Sequence, residues 1–282
     1  MLSIGTTQLM AQVVVDRNLG EMLHSMQRLA TGKRVNSGRD DPAGLIAGEQ
    51  LRSELTALDA AMRTNERARR MVQTADSGLS QVSRLTREIR GNLLTAASST
   101  TSKAEQAALQ IEIDAATEAI NRIGSYTQFA GRKLLDGQDV QINTSTNPSD
   151  LAAITLPTVR ASALGNETGT LADLRTGGKL DLSSGTLVDA FDVVSAVEKQ
   201  IAFARAELGA FDKYTVDSTQ NVLQAEFENL SAARSGIIDT DYASETSALA
   251  RGVILAEISV SIFKSAGIVE RAKGQLLDEL TS

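Results

Sequence analysis

The 282-residue chain is 42% hydrophobic but only 3% aromatic and has no Trp, so small aliphatic residues must fill its core, which suits helix packed on helix better than a ligand pocket. A net charge of −7 argues against nucleic acid, since the densest basic run, Arg67, Arg69 and Arg70, reads as a solvated helix face. Cysteine is absent, which removes disulfides, thiolate zinc sites and cysteine nucleophiles together.

From the start of the chain, Met1 to Val15 carries neither a basic leader nor a long apolar core, so no secretory signal is read there. No apolar run is read as a bilayer span, so no membrane insertion is expected. Val15, Leu19, Met22, Met26 and Leu29 step by four and three alternately, the repeat that keeps one stripe against a partner helix in a left-handed supercoil. Asp41-Pro42 marks the next helix start: an N-cap, then a proline whose missing N–H costs nothing in the first turn. The repeat resumes through Leu58, Ala61, Asn65, Ala68, Val72, Ala75, Leu79, Val82, Thr86, Ile89 and Leu93. It predicts one helix over about 43–98, a rod of roughly 80 Å at about 1.5 Å per residue. Ser102 with Glu105 reads as a capping box opening a third helix that carries Leu109, Ile113, Ala116, Ile120 and Ile123.

Between about 138 and 185 the pattern breaks into Ser, Thr, Asn, Gly and Asp. Alternations at Val140/Ile142, Ile154/Leu156 and Leu180/Leu182 predict small strands or a hairpin, read as an exposed β-element joining two helical halves. Thr186 with Asp189 reads as a cap for the returning helix, whose stripe is Val194, Val197, Ile201, Ala204, Leu208, Phe211, Thr215, Ser218, Val222 and Ala225. Asp239 and Asp241 mark the start of a last helix, with Leu255, Ile258, Ile262, Ser265, Val269, Ala272 and Leu276 as its stripe and Val253, Ile254, Val260 and Phe263 as a second one beside it.

A search for chemistry returns no catalytic, cofactor-binding or metal-ligating set. His24 stands alone in a helical run, Asp40/Asp41 and Asp239/Asp241 read as caps, and no Gly-Lys-Ser/Thr follows Gly32, Gly38, Gly44 and Gly48 to make a phosphate loop. Asn143-Thr-Ser and Asn166-Glu-Thr match a glycosylation sequon, informative only in a suitable host. What remains is an interaction protein, because the terminal helices carry more apolar surface than one partner helix covers.

Several segments carry a resemblance. Arg28-Leu-Ala-Thr-Gly-Lys-Arg-Val-Asn-Ser-Gly-Arg-Asp-Asp-Pro-Ala-Gly44 resembles the N-terminal signature of bacterial flagellins. Thr127-Gln-Phe-Ala-Gly-Arg-Lys-Leu-Leu-Asp-Gly137 resembles the close of that family's N-terminal helical half. Ala206-Glu-Leu-Gly-Ala-Phe211, Glu228-Asn-Leu-Ser-Ala-Ala-Arg-Ser235 and Asp239-Thr-Asp-Tyr-Ala-Ser-Glu245 resemble its returning half. The fold implied is mainly α, a long coiled-coil-like helical hairpin bundle with N- and C-terminal helices paired and a small β-element in the middle. Residues 1–42 would form an inner-core helix and spoke loop. Residues 43–185 would form a helical shell with the small β-region at about 138–185, 186–238 its returning helix, and 239–282 the C-terminal inner-core helix.

The function implied is that of a subunit polymerising into the helical flagellar filament for swimming, with the hook–filament junction protein as the alternative. Its partners would be copies of itself, the filament cap and hook-junction proteins and an export chaperone, with no nucleic acid and no cofactor. It would lie outside the cell, exported by the flagellar type III apparatus. The polymerisation interface would draw on Val15, Leu19, Met22, Met26, Leu29, Leu255, Ile258, Ile262, Phe263, Val269 and Leu276. The middle is too short for the outer domains many relatives insert, the C-terminus lacks their Pro-Gln motif, and Gly236 stands where Arg is usual. In relatives detected by a vertebrate surface receptor, a helix carries Arg-x-Arg-Glu-Leu and the next helix a Glu. The matching positions here are Glu88-Ile-Arg90-Gly-Asn92 and Glu112, which implies weak recognition, since Glu88 reverses a charge.

Overall fold

The computed structural model describes residues 4–98, 100–147, 149–184 and 186–281. Its helices are α1 (Ile4–Thr31), α2 (Pro42–Ala96), α3 (Lys103–Tyr126), α4 (Leu187–Phe211), α5 (Ser218–Ile238) and α6 (Tyr242–Thr281). The expected caps form at three starts. Asp41 Oδ1 accepts the Gly44 N–H at 2.8 Å. The Ser102–Glu105 box closes reciprocally, with Glu105 accepting the Ser102 N–H at 2.7 Å, a bond that holds the Glu105 carboxyl below its usual range. Asp241 Oδ1 accepts from the amides of Ala243 and Ser244 at the head of α6. The fourth expected cap does not form: the Thr186 hydroxyl turns back to the Lys179 carbonyl at 3.4 Å, so no side chain caps α4.

Two compact units divide the chain: residues 56–227, and residues 1–55 with 228–282. In 56–227 the α2 stripe read from the sequence is buried at every position from Leu58 to Leu93, with Val82, Ile89 and Leu93 wholly inaccessible. Ile113 and Ile120 of α3 and Val193, Val194, Val197 and Ile201 of α4 belong to the same core. Leu, Ile and Val supply most of this core and Ala61, Ala68 and Ala75 the rest of the α2 stripe, with Asn65 and Thr86 as its two polar members.

The middle segment exposes most of its polar residues, as expected, but buries its alternating apolar ones. Among the described residues three two-stranded antiparallel hairpins form, one just before this segment and two within it: β1 (Gln128–Phe129) with β2 (Arg132–Lys133), β3 (Asp139–Asn143) with β4 (Leu151–Thr155), and β5 (Gly165–Asn166) with β6 (Gly169–Thr170). Leu134, Leu135, Val140, Ile154, Leu156, Leu171 and Leu174 point from this region into the helical core. Leu180 and Leu182 are buried too, but in turns rather than the expected strand. Side chains of α3 hold that stretch in place of a strand partner. The Gln110 amide donates to the Leu174 carbonyl and accepts the Leu182 N–H, each at 2.9 Å. Asp114 accepts both the amide and the hydroxyl of Thr176. Burial pushes the Asp114 carboxyl up, but these bonds, that of Gln110 and the charge of Arg175 outweigh it and leave the group below its usual range.

The returning helix departs from the expected pattern at one point. Its stripe is covered as read through Leu208, with Ala204 half-buried and the others buried, and then the chain makes a π turn at Asp212–Asp217 before α5. A π turn accommodates one extra residue, so every later position is rotated by about 100°. Val216 and Leu223 are therefore buried where Thr215 and Val222 were expected, and Val222 is exposed.

Candidate assembly surface

In the other unit α1 and α6 run antiparallel, as three contacts in succession show. Arg28 pairs with Glu245 at 3.6 Å, Met22 lies against Gly252, and the Asn18 amide donates to the Ser259 hydroxyl. The covered face of α6 is Gly252, Ala256, Ser259, Phe263 and Ala266, again at alternating steps of four and three. On α1 the covered positions include Ala11, Val15, Asn18, Met22 and Leu29. Small residues let the two backbones approach closely, and a polar pair, Asn18–Ser259, sits in the seam at positions where a coiled coil usually places a large aliphatic.

The large aliphatics of α6 consequently face away. Leu255, Ile258, Ile262, Val269 and Leu276 are 41–59% exposed, and of the residues expected at the interface on this helix only Phe263 is half-buried in the seam. On α1, Val15, Met22 and Leu29 turn partly toward α6, whereas Leu19 and Met26 join Leu9, Met10, Val13, Val14 and Leu23 on the outer side. Sequence reasoning missed Asn18, Gly252, Ala256 and Ser259 as the true seam. The available signal was a second stripe of small residues in the same repeat.

The segment Tyr242–Val269 also corrects the reading that no run could span a bilayer: by length and mean hydropathy it could, although only 11% of its most apolar window is buried. Ser259, Ser261, Glu257 and Lys264 break the continuity that the eye follows, but Ala, Val and Ile dominate the average.

Residues 32–41 tie the two helices' inner ends. Gly32 takes a left-handed φ of +69°, its carbonyl accepts the Thr240 N–H at 3.0 Å, and Lys33 forms a β-bridge with Asp239. The Ile238 carbonyl accepts from the amides of Arg34 and Val35, and the Arg34 guanidinium donates to the Ile237 carbonyl at 2.6 Å. Val35 and Ile238 are buried under this clasp. Asp40 closes the loop: its carboxylate accepts the Asn36 and Ser37 N–H groups and meets His24 at 3.2 Å. The Asn36 bond is the largest influence; burial opposes it, and the Ser37 bonds and the nearby His24 tip the balance, so the carboxyl is held below its usual range. The lone histidine is thus a loop anchor.

Among the described residues no group of three or more His, Cys, Asp or Glu is placed to hold a metal. The positions matched to receptor recognition are split. Glu88 and Glu112 line one shallow groove with Gly91 and Asn92, while Arg90 turns aside to pair with Glu198 on α4 at 2.7 Å.

Comparison with known proteins adds two family matches: the bacterial flagellin N-terminal helical region over residues 3–139 and the C-terminal helical region over residues 191–270. A flagellin of Halalkalibacterium halodurans is 31% identical, with 92% of this chain and 93% of the relative covered. A flagellin of Bacillus subtilis is 30% identical over 86% of this chain and 88% of the relative. Among solved structures, a chain assigned as a flagellar hook-associated protein of Vibrio parahaemolyticus shares the fold at TM-score 0.60 and 13% identity, covering 71% of this chain and all of that one.

Proposed function

The chain belongs to the bacterial flagellins, and from that premise we propose that it polymerises through the outward aliphatic faces of α1 and α6. It is a structural subunit of the flagellar filament, an extracellular appendage, and not an enzyme. The observation that carries the proposal is the inversion on α6, where Leu255, Ile258, Ile262, Val269 and Leu276 are left in water while Gly252, Ala256 and Ser259 face α1. Fully burying an exposed side chain of this kind stabilises by about 1.5–3 kcal/mol, and these are already about half covered, so neighbouring subunits that cover the stripe gain roughly half of that at each position.

On this reading residues 1–42 and 239–282 form the inner layer of the filament and 43–238 the surrounding shell. Export through the flagellar type III apparatus, a filament cap, hook-junction proteins and an export chaperone complete its partners. A double substitution, Ile258→Asp with Ile262→Asp, tests the interface. It leaves a folded monomer with the melting behaviour of residues 56–227 intact, but abolishes sedimentable filaments. Filaments formed at the parent critical concentration would refute the assignment.

The positions Glu88, Arg90 and Glu112 carry a smaller proposal of weak activation of the vertebrate receptor. Supporting it, Glu88 puts a negative charge where the detected relatives have Arg, and Arg90 is engaged by Glu198. Glu88→Arg with Gly91→Glu and Asn92→Leu should raise the response of receptor-reporter cells to dissociated monomers. Full potency of the unsubstituted chain would end that reading.

A further inference from the structure

The π turn at Asp212–Asp217 interrupts a stripe that the sequence itself writes without a break. Phe211, Thr215, Ser218, Val222 and Ala225 continue the alternating steps of four and three. The folded chain instead uses Phe211, Val216, Gln220, Leu223 and Phe227, in which the first step is five residues and the rest return to four and three. Two registers, one residue apart, are therefore encoded in the same helix. The structure adopts the one that buries Leu223 and leaves Val222 in water.

Two contacts from α2 select that register. The first comes from Asn65, which sits at a fully buried position of the α2 stripe where the flanking residues are Ala61 and Ala68. Its amide donates to the Val216 carbonyl, inside the π turn, at 2.8 Å, and to Gln220 Oε1 at 3.0 Å. Its own oxygen is buried and meets no donor among the described residues. A half-satisfied amide in an otherwise apolar seam costs stability relative to an aliphatic residue, and its usual return is register specificity. The second comes from Arg69, one turn further along α2. It faces both ends of the π turn, lying 3.8 Å from Asp212 and in direct contact with Asp217. Residues five apart lie about 140° around an α-helix and so cannot both meet one guanidinium, whereas the wider π turn brings them to one side.

We propose that the Asp212–Asp217 π turn is a register switch, and that Asn65 and Arg69 form the catch that holds it. With the catch engaged, α5 presents Val216 and Leu223 to the core. With it released, the extra residue is absorbed into a regular α-helix, and α5 rotates by about 100° to present Thr215 and Val222. Rotation would change which side chains of α5 a neighbouring molecule meets, so the catch fixes the outer face of the returning helix as well as its inner one.

The test reads which position is buried. In the otherwise unchanged full-length chain, Leu223→Asp should lower the melting temperature strongly and Val222→Asp little. In an Asn65→Leu, Arg69→Ala background the order should reverse. If Leu223→Asp remains the more damaging change in that background, the switch is refuted. Deleting the exposed Tyr214 supplies a second reading that does not depend on how the background folds. Removing one residue from the turn should restore a regular helix without rotating α5, giving a folded chain in which Leu223→Asp is still the damaging change. A deletion variant that fails to fold, or in which Val222→Asp is the worse, overturns the proposal.

Discussion

With the same repeat, α2 turns the large aliphatics of its stripe inward and α6 turns most of its own outward. In residues 56–227 the α2 stripe turns Leu79, Val82, Ile89 and Leu93 inward against Ile113, Ile120 and the α4 valines. In residues 1–55 with 228–282 the α1–α6 seam takes Gly252, Ala256 and Ser259 from α6 and Val15, Asn18, Met22 and Leu29 from α1, while Leu255, Ile258 and Ile262 of α6 stay outside. The first arrangement maximises apolar area removed from water within one chain. The second leaves that area exposed, where the proposed polymerisation would cover it, and the Asn18–Ser259, Arg28–Glu245 and Lys33–Asp239 contacts join its two helices and the loop between them. The lesson is that a 3.5-residue repeat says that a helix has a seam, but the size of the residues in that seam says whether the chain means to be finished by itself.

Paired substitutions at matched positions would break this comparison most directly. Ile120→Ala empties a fully buried site and should cost about 2–5 kcal/mol of monomer stability by thermal or chemical unfolding. Ile258→Ala, at a half-exposed site, should move the same measurement by less than about 0.5 kcal/mol while raising the critical concentration for polymerisation. Equal monomer losses would show that the outer stripe is already covered within the subunit.

Glycines sharpen the contrast at the next level. A Cβ on Gly124 of α3 would fall on the Val159 carbonyl oxygen, so Gly124→Ala should destabilise residues 56–227 by about 1–3 kcal/mol. On Gly252 a Cβ would lie 3.6 Å from Met22, an ordinary contact. Gly252→Ala should therefore be neutral, or stabilise by up to about 1 kcal/mol through helix propensity. A large loss at Gly252 would mean that the seam is tighter than its spacing indicates.

Protease sensitivity should follow the same division. In free subunits trypsin should cut at Arg17, Arg251 and Lys264 before Arg84, Arg87 or Arg122, because local opening costs least where few apolar side chains are buried. Assembly into filaments should abolish the early cuts; their persistence would place these helices outside the polymer interface.

The smallest expected effect is electrostatic. Asp114 has a folded pKa below its unfolded value of about 3.9, so its stabilisation is present above about pH 4 and is lost as the pH falls through the folded pKa. Asp114→Asn should lower the melting temperature near neutrality, and the gap from the parent should close on acidification. A constant gap from pH 7 to pH 3 would show that the carboxylate's charge contributes nothing and that only its hydrogen bonds to Thr176 matter.

The sequence by itself determined the helices, most of their caps and the α2 seam, because a proline, a capping residue and a 3.5-residue repeat act locally and leave one solution. Membership in the flagellins was legible as well, from segments such as Arg28–Gly44 and Thr127–Gly137. Three features were decided only by the tertiary structure. On α6 two stripes share one repeat, and periodicity cannot say which faces α1; the Asn18–Ser259 and Arg28–Glu245 contacts with α1 mark the one that does. On the returning helix both registers obey the repeat, and the choice rests on Asn65 and Arg69, residues more than a hundred positions away in the chain. In the middle, Leu180 and Leu182 are buried without a strand, since the partners of their backbone are Gln110 and Asp173 rather than another extended segment. In each case the local pattern allowed two solutions, and contacts distant in sequence go with the one adopted.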